Sequence, residues 1–220
     1  MSLQDHLDAL KAQSAGKTPP DEAEISHRAI DELITTGAVR RARKVGEMAP
    51  AFTLNDSDGQ QVDSRALLAK GPLVVTFYRG VWCPFCNLDL QALRDTLPDI
   101  EARGASLVSI SPQTTANGRK AARTHNITYP LLSDPGGMVA DAFGVRWKMP
   151  GDLVALYRDK YKLDLTMYND DQSWTLPMPS RFVIGVDGMI DYAEVSPDYT
   201  VRPDPSELLP VLDRSVTRAA

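Results

Sequence analysis

The sequence has little cysteine, little histidine and few aromatic residues. Its 220 residues include two cysteines and three histidines, and aromatic side chains make up 7% of the chain. Two cysteines are too few for the disulfide framework that stabilises many small secreted domains. A zinc knuckle would need two more ligands near the cysteines, whereas His6, His27 and His125 are scattered along the chain. The composition therefore predicts neither a disulfide scaffold nor a structural metal site.

The sequence also lacks the features of a membrane protein or a nucleic-acid-binding protein. No stretch approaches the roughly 18 consecutive apolar residues of a membrane span, and residues 1–6 hold neither a basic nor an apolar leader segment. A net charge of −5 at pH 7 provides no overall attraction for polyanions. Residues 40–44 form a short basic run, which we interpret as a solvated linker or as contacts with the acidic chain itself. We expect a cytoplasmic protein with no nucleic-acid or membrane partner.

Both cysteines lie within one short motif, Trp-Cys-Pro-Phe-Cys at residues 82–86. A continuous apolar run at residues 73–78 predicts a buried strand before the motif, and an apolar pattern of helical period follows it. A helix N-terminus carries roughly half a positive charge, which favours the thiolate of Cys83. Arg79 would add to this effect if its side chain turned toward the sulfur. Because Cys86 lies one helical turn further, it is placed to attack an oxidised Cys83, and the motif predicts a redox dithiol.

The sequence divides into a helical N-terminal extension, residues 1–44, and a main domain, residues 45–220. Apolar residues at helical spacing predict a short helix around Leu7 and a second helix over about residues 21–36, with Gly37 as its C-terminal stop. These helices would expose apolar faces unless they packed on the main domain or on a second subunit. We therefore expect them to dock, and a homodimer is one way in which they would do so.

The main domain alternates predicted strands and helices, which indicates an α/β sheet with parallel neighbouring strands. The predicted strands lie in a hairpin at 52–62, at 73–78, 106–110 and 129–132, and in a late hairpin at 182–193. Further helices are predicted at 116–125, 138–143 and 206–215. A polar, aromatic-rich stretch at about residues 147–175 has no clean periodicity. We interpret it as an insertion that is helical only around residues 153–160.

Four parts of the main domain form a recognisable set, at residues 46–54, at 77–86, at 111–112 with 129–135, and at 179–184. In this order they resemble the peroxiredoxin-like alkyl hydroperoxide reductase and thiol-specific antioxidant (AhpC/TSA) family of the thioredoxin-like superfamily. The resemblance covers roughly residues 45–195. It implies a three-layer α/β sandwich with a central mixed sheet, to which the helical N-terminal extension is added. It also implies that Cys83 reacts with a peroxide.

The sequence departs from that family at three positions. Peroxiredoxins usually have Pro seven residues before the reactive cysteine and Thr or Ser three residues before it, where this chain has Thr76 and Gly80. A glycine cannot supply the hydroxyl that normally helps to bind the peroxide. The active-site arginine of the family corresponds to Pro179 in this chain, and we interpret Arg181, two residues later, as a surface residue of a strand.

The motif at residues 82–86, followed by a late proline, also resembles thioredoxin and glutaredoxin. This likeness implies that Pro179 is cis and places backbone groups beside Cys83. Trp82 is either a platform for the substrate or part of the core. The predicted catalytic residues are Cys83 and Cys86, and the predicted substrate-binding residues are Arg79, Trp82 and Pro179.

Three functional hypotheses follow. In the first, Cys83 reduces a hydroperoxide and becomes a sulfenic acid, Cys86 closes a disulfide, and a thioredoxin-like or glutathione-linked donor restores the thiols without a bound cofactor. In the second, a thioredoxin-like reductase uses the same sulfurs on a disulfide substrate and has no peroxidase activity. In the third, the chain is a non-catalytic binding protein, against which the retained dithiol argues. The missing hydroxyl at Gly80 favours the reductase, but the family segments favour the peroxidase, which is our prediction.

Overall fold

A seven-stranded mixed sheet occupies the centre of the structure, a computed structural model that describes residues 2–219, with side chains to residue 215. The strands are β1 (Thr53–Asp56), β2 (Gln61–Asp63), β3 (Leu73–Phe77), β4 (Ser106–Ser111), β5 (Leu131–Ser133), β6 (Arg146–Lys148), β7 (Thr175–Pro177), β8 (Ser180–Ile184) and β9 (Ile190–Val195). Seven of these strands form the central sheet, in the order β2-β1-β5-β4-β3-β8-β9, and β6 pairs with β7 in a separate small sheet. The neighbours β3, β4 and β5 are parallel, and the remaining neighbours are antiparallel. The predicted mixed sheet is confirmed.

Helices cover both faces of this sheet, which gives the three layers expected of a thioredoxin-like fold. The helices are α1 (Leu3–Ala15), α2 (Pro20–Thr35), α3 (Ser64–Leu68), α4 (Pro84–Glu101), α5 (Thr115–His125), α6 (Met138–Ala142), α7 (Gly151–Ala155), α8 (Leu165–Asn169) and α9 (Leu209–Ala219). One apolar core joins the sheet to α1, α4, α5 and α9, and a second joins its opposite face to α3 and α6. Because every residue of β3 is buried between these two cores, the strand reads as a continuous apolar run.

The first two helices pack on the main domain of the same chain. A capping box at Ser2 and Asp5 starts α1, and Leu3 and Leu7 enter the same core as the two cysteines. Ala29 of α2 joins a separate apolar cluster with residues of the 147–175 stretch. Of the two docking arrangements expected from the sequence, packing on the main domain is the one observed in the single chain.

The 147–175 stretch contains more regular structure than its sequence predicts. It holds α7, a π-helical turn at Leu156–Lys160 and α8, and the flanking strands β6 and β7 pair as a two-stranded antiparallel sheet. The elements are only three to five residues long, which is too short for a periodic signal. The pairing of β6 with β7 brings the turn at 156–160 back toward the start of α4, where Tyr157 meets Trp82.

Candidate active site

Cys83 is the residue that caps the N-terminus of α4. Its backbone is extended (φ −94°, ψ 108°), and Pro84 follows at the first helical position, where the missing N–H costs nothing. The 18-residue helix directs the positive end of its dipole at the Cys83 side chain. Cys86 lies one turn further along the helix, and both cysteines are free thiols. Cys83 is 1% exposed and Cys86 is fully buried.

The pKa values of the two thiols are shifted in opposite directions. Burial would raise the pKa of Cys83, but the hydrogen bond from Cys86 and the charge of Arg79 outweigh it and bring the pKa to about 6. Burial raises the pKa of Cys86, and the charge of Cys83 raises it further. At neutral pH the pair therefore carries one negative charge, on Cys83, with the Cys86 thiol as its hydrogen-bond donor.

The guanidinium of Arg79 faces the reactive sulfur. Its Nη1 lies 3.8 Å from Cys83 Sγ, and the backbone N–H of Arg79 lies 3.5 Å from Cys86 Sγ. Nη2 donates to the hydroxyl of Tyr157 at 2.5 Å. The cation lies over the ring of Tyr199 at 4.0 Å and near the ring of Trp82 at 4.8 Å, both within the range of cation–π attraction. Only 3% of Arg79 is exposed. These contacts replace the water that its charge loses on burial, and they hold the guanidinium against the thiolate.

Beneath Cys86 lies a buried ion network. Asp89, one turn beyond Cys86, pairs with Arg181 of β8. Its second oxygen lies 3.7 Å from Nε of Arg202, and Nη2 of Arg202 lies 3.7 Å from Cys86 Sγ. Arg181 also donates to the carbonyl of Pro203 at 2.7 Å. Unpaired buried charges are costly, so Asp89 and the two arginines stabilise one another in the folded chain.

Comparison with known proteins places this arrangement in a family. The AhpC/TSA family matches residues 45–193. Peroxiredoxin Q from chloroplasts of Oryza sativa subsp. japonica is 32% identical over 154 residues, which are 70% of this chain and 68% of that protein. The peroxiredoxin Q of Suaeda salsa is 35% identical over 121 residues, 54% of each chain. The crystal structure of peroxidoxin BcpB from Mycobacterium tuberculosis matches with a TM-score of 0.58 and 25% identity, covering 80% of this chain and 97% of that one.

The chain belongs to the AhpC/TSA family. It is a peroxiredoxin-type oxidoreductase that reduces hydroperoxides by thiol chemistry, and the disulfide-reductase alternative is not favoured. The fold is likewise that of the thioredoxin-like peroxiredoxins.

The glycine that replaces the family hydroxyl has a structural reason in this AhpC/TSA protein. Gly80 adopts φ +144°, and a Cβ there would lie 2.5 Å from Trp82 Nε1. The loop is held by the neighbouring Val81 N–H, which donates to Gln113 Oε1 at 2.9 Å. Thr76 does not replace the missing donor, because its hydroxyl is 2.6 Å from that of Ser109 within the sheet.

Two of the sequence-based expectations were wrong. The Met178–Pro179 peptide bond is trans rather than cis. Pro179 borders a cavity of about 20 Å³ together with Arg79, Tyr157 and Tyr199, and its carbonyl accepts from the Ser196 N–H. Arg181 is not a surface residue but is 1% exposed, because β8 lies between β3 and β9 and its side chain reaches under α4 to Asp89.

The structure brings together the predicted residues Cys83, Cys86, Arg79 and Trp82, and places Pro179 at the cavity beside Arg79. Sequence reasoning missed Tyr157, Tyr199, Asp89 and Arg202. For Asp89 a signal existed, because a carboxylate stands among the buried leucines of one helix face. Tyr199 and Arg202 lie in an irregular segment after β9, which carries no periodic signal.

Two further features, a metal-ligand group and a membrane-spanning helix, are absent from the part of the chain that the structure describes. No group of three or more His, Cys, Asp or Glu side chains there could hold a metal ion. No helix within residues 2–219 is both long and apolar enough to span a membrane.

Proposed function

We propose that Cys83 is the peroxide-reacting thiol and Cys86 the resolving thiol of this AhpC/TSA protein. The observation that carries the proposal is the buried Cys83 sulfur at the N-terminus of α4, 3.8 Å from the Arg79 guanidinium. A thiolate is the nucleophilic form of cysteine, and the pKa of about 6 keeps Cys83 in that form at neutral pH.

The first step is attack of the Cys83 thiolate on one peroxide oxygen. The S–O bond forms as the O–O bond breaks, the sulfur is oxidised by two electrons to a sulfenic acid, and the departing alkoxide is protonated to an alcohol, or to water from hydrogen peroxide. Negative charge develops on the departing oxygen, and Arg79 is the cation placed to stabilise it. Its Nε has no hydrogen-bond partner among the described residues, so a donor remains for the substrate.

In the second step Cys86 attacks the Cys83 sulfur. The S–S bond forms, the S–O bond breaks, and the oxygen leaves as water after protonation. An external dithiol then supplies two electrons by thiol–disulfide exchange and restores both thiols. We propose a thioredoxin-like or glutathione-linked donor for this step, in the reducing environment of the cytoplasm.

The burial of Cys83 supports a hydroperoxide as the oxidant in place of a protein disulfide. In thiol–disulfide exchange the attacking sulfur must reach a sulfur of the disulfide directly. Only 1% of Cys83 is exposed, so a disulfide on the surface of a folded protein does not reach it without rearrangement. The cavity of about 20 Å³ beside Arg79 has room for one water-sized molecule. A small oxidant therefore reaches the guanidinium with less rearrangement than a folded protein.

Single-turnover oxidation of the reduced protein distinguishes these oxidants. We expect hydrogen peroxide and an organic hydroperoxide to oxidise Cys83 faster than a free thiol of matched pKa, and a protein disulfide to react more slowly than either. Reaction with peroxide at no more than the free-thiol rate would contradict the proposal and favour the disulfide reductase.

The roles of the two sulfurs are tested by Cys86→Ser. We expect this variant to complete one rapid oxidation and then to hold a sulfenic acid that dimedone traps, whereas wild type gives an internal disulfide with no free thiol. Mass spectrometry after alkylation identifies the products. An intermolecular disulfide as the main product of wild type would show that Cys86 does not resolve Cys83 within the chain. It would also indicate that two chains associate as a homodimer.

A further inference from the structure

Arg202 is a buried cation beside Cys86 that the peroxide-reducing step does not use. It is 3% exposed, and its Nη2 lies 3.7 Å from Cys86 Sγ. It follows β9 and lies outside residues 45–193, the part of the chain that the family matches. The N-terminal extension, also outside that part, contacts the same segment. Arg202 therefore reaches Cys86 from a part of the chain that the family match does not cover.

The backbone around Arg202 is fixed from two sides. Its own N–H donates to Gln4 Oε1 of α1 at 3.4 Å, and the carboxylate of Asp204 accepts from the Leu3 N–H at 3.3 Å. Nη1 of the guanidinium donates to the carbonyl of Val201 at 2.6 Å. The two terminal nitrogens of Arg202 therefore contact different groups: Nη1 the backbone and Nη2 the sulfur of Cys86.

The buried guanidinium groups around the dithiol outnumber the carboxyl groups that face them. Asp89 lies 3.7 Å from Nε of Arg202 but also pairs with Arg181. Glu194 is the other nearby carboxyl, and burial raises its pKa to about 7, so it carries only part of a charge at neutral pH. With Arg79 on the far side of the thiols, three buried guanidinium groups face Asp89, the partly charged Glu194 and the dithiol. An anion on the dithiol is accordingly favoured until the disulfide forms.

We infer that Arg202 is the positioning residue of the resolving step: it holds Cys86 and stabilises it as a thiolate once Cys83 has become a sulfenic acid. The inference rests on the proposed function. In the reduced protein Cys83 holds the negative charge and keeps Cys86 protonated. Oxidation converts Cys83 to a neutral –SOH, and the departing alkoxide, or hydroxide from hydrogen peroxide, takes the proton of the Cys86 thiol. The negative charge then moves to Cys86, the sulfur next to Arg202.

This arrangement orders the two steps in time. Cys86 becomes a strong nucleophile only when Cys83 is an acceptor for its attack, because the anion that suppressed its ionisation has gone. Attack forms the S–S bond and expels hydroxide, which is protonated to water. The second thiol is thereby protected from external oxidants before Cys83 has reacted.

The first test does not depend on peroxide chemistry. Cys83→Ser replaces the thiolate by a neutral hydroxyl, and the pKa of Cys86 is then measured from the pH dependence of its alkylation. We expect the pKa to rise by at least about one unit when Arg202→Met is added, and by less than half as much when Arg202→Lys is added. Arg103→Met, which removes a partly exposed arginine paired with Asp213, is the matched control and should leave this pKa unchanged.

The second test follows both steps with hydrogen peroxide in the chain with both cysteines. Rapid quenching separates the rate of Cys83 oxidation from the rate of disulfide formation. We expect Arg202→Met to slow disulfide formation at pH 7 by at least about tenfold, to slow the first step much less, and to recover as the pH rises. Dimedone should trap more sulfenic acid in this variant. If Arg202→Met does not fold, Arg202→Gln provides the same comparison.

The outcomes separate the two proposals. An unchanged Cys86 pKa in the Cys83→Ser background, or equal slowing of both steps, would overturn the role of Arg202. Failure of wild type to react with peroxide would overturn the proposed function, while the pKa measurement would still decide whether Arg202 governs Cys86.

Discussion

The two faces of the central sheet are built on different principles. On the face that carries α3 and α6, the core is apolar and centres on the rings of Phe77, Phe143 and Phe182, whose centroids lie 5.0–6.2 Å apart. On the face that carries α4, leucines share the interior with Asp89, Arg181 and both thiols. The same strand serves both faces, because alternate residues of β3 point to opposite sides.

The contrast shows how one fold separates stability from chemistry. The phenylalanine cluster contributes apolar burial, and its three members carry no polar side chain. The polar face buries charges whose desolvation is compensated only while every partner is present. We therefore expect substitutions on the apolar face to change the free energy of unfolding alone, and substitutions on the polar face to change both stability and the thiols.

The largest effect on stability should come from Asp89→Asn. The substitution leaves Arg181 and Arg202 without their shared carboxylate in a buried site. We expect a loss of about 3–5 kcal/mol in the free energy of unfolding, measured by urea denaturation. Asp95→Asn is the control on the same helix, since Asp95 is 67% exposed and pairs with Arg94, and it should cost less than about 1 kcal/mol. Equal losses in the two variants would contradict a special cost of breaking the buried ion network.

Arg79→Met should have the next largest effect, on catalysis. Because charge develops on the departing peroxide oxygen, we expect peroxide reduction to slow by about 10–100-fold more than thiol–disulfide exchange with a small disulfide. Arg79 also lowers the pKa of Cys83, so both rates are compared at a pH where the thiolate is fully formed. If both reactions slowed by the same factor at that pH, or neither slowed, Arg79 would not act specifically on the departing peroxide oxygen.

On the apolar face, Phe143→Leu should reduce stability without touching the dithiol. Phe143 is fully buried against Phe77 and Phe182, and the smaller side chain leaves part of their ring contacts unfilled. We expect a cost of about 1–2 kcal/mol in urea denaturation. The midpoint of Cys83 alkylation against pH should stay where it is in wild type. A shift of that midpoint would show that the two faces are coupled.

The same contrast explains what the sequence could predict. The strand at 73–77 and the helix at 84–101 follow from local patterns, because apolar runs and 3.6-residue periods encode their burial. The dithiol at 83 and 86 follows from its spacing in that frame. Arg181 could not be assigned, because its burial depends on Asp89, which is 92 residues away in sequence. Tyr199 and Arg202 reach the site from an irregular segment, where only the tertiary fold sets their positions.

The pH dependence of Cys83 gives the smallest predicted change and the most direct measure of the polar face. The pKa of about 6 lies below that of a free cysteine, so the thiolate persists at neutral pH and is lost as the pH falls through 6. Between pH 7 and pH 5 we expect the rate of Cys83 alkylation to fall by about tenfold, whereas a free thiol of pKa near 8.5 falls by about 100-fold. Arg79→Met should move the midpoint upward, since the guanidinium favours the anion, and Phe143→Leu should leave it in place. A wild-type midpoint near 8.5 would mean that the helix N-terminus, Cys86 and Arg79 together do not overcome the burial of the sulfur.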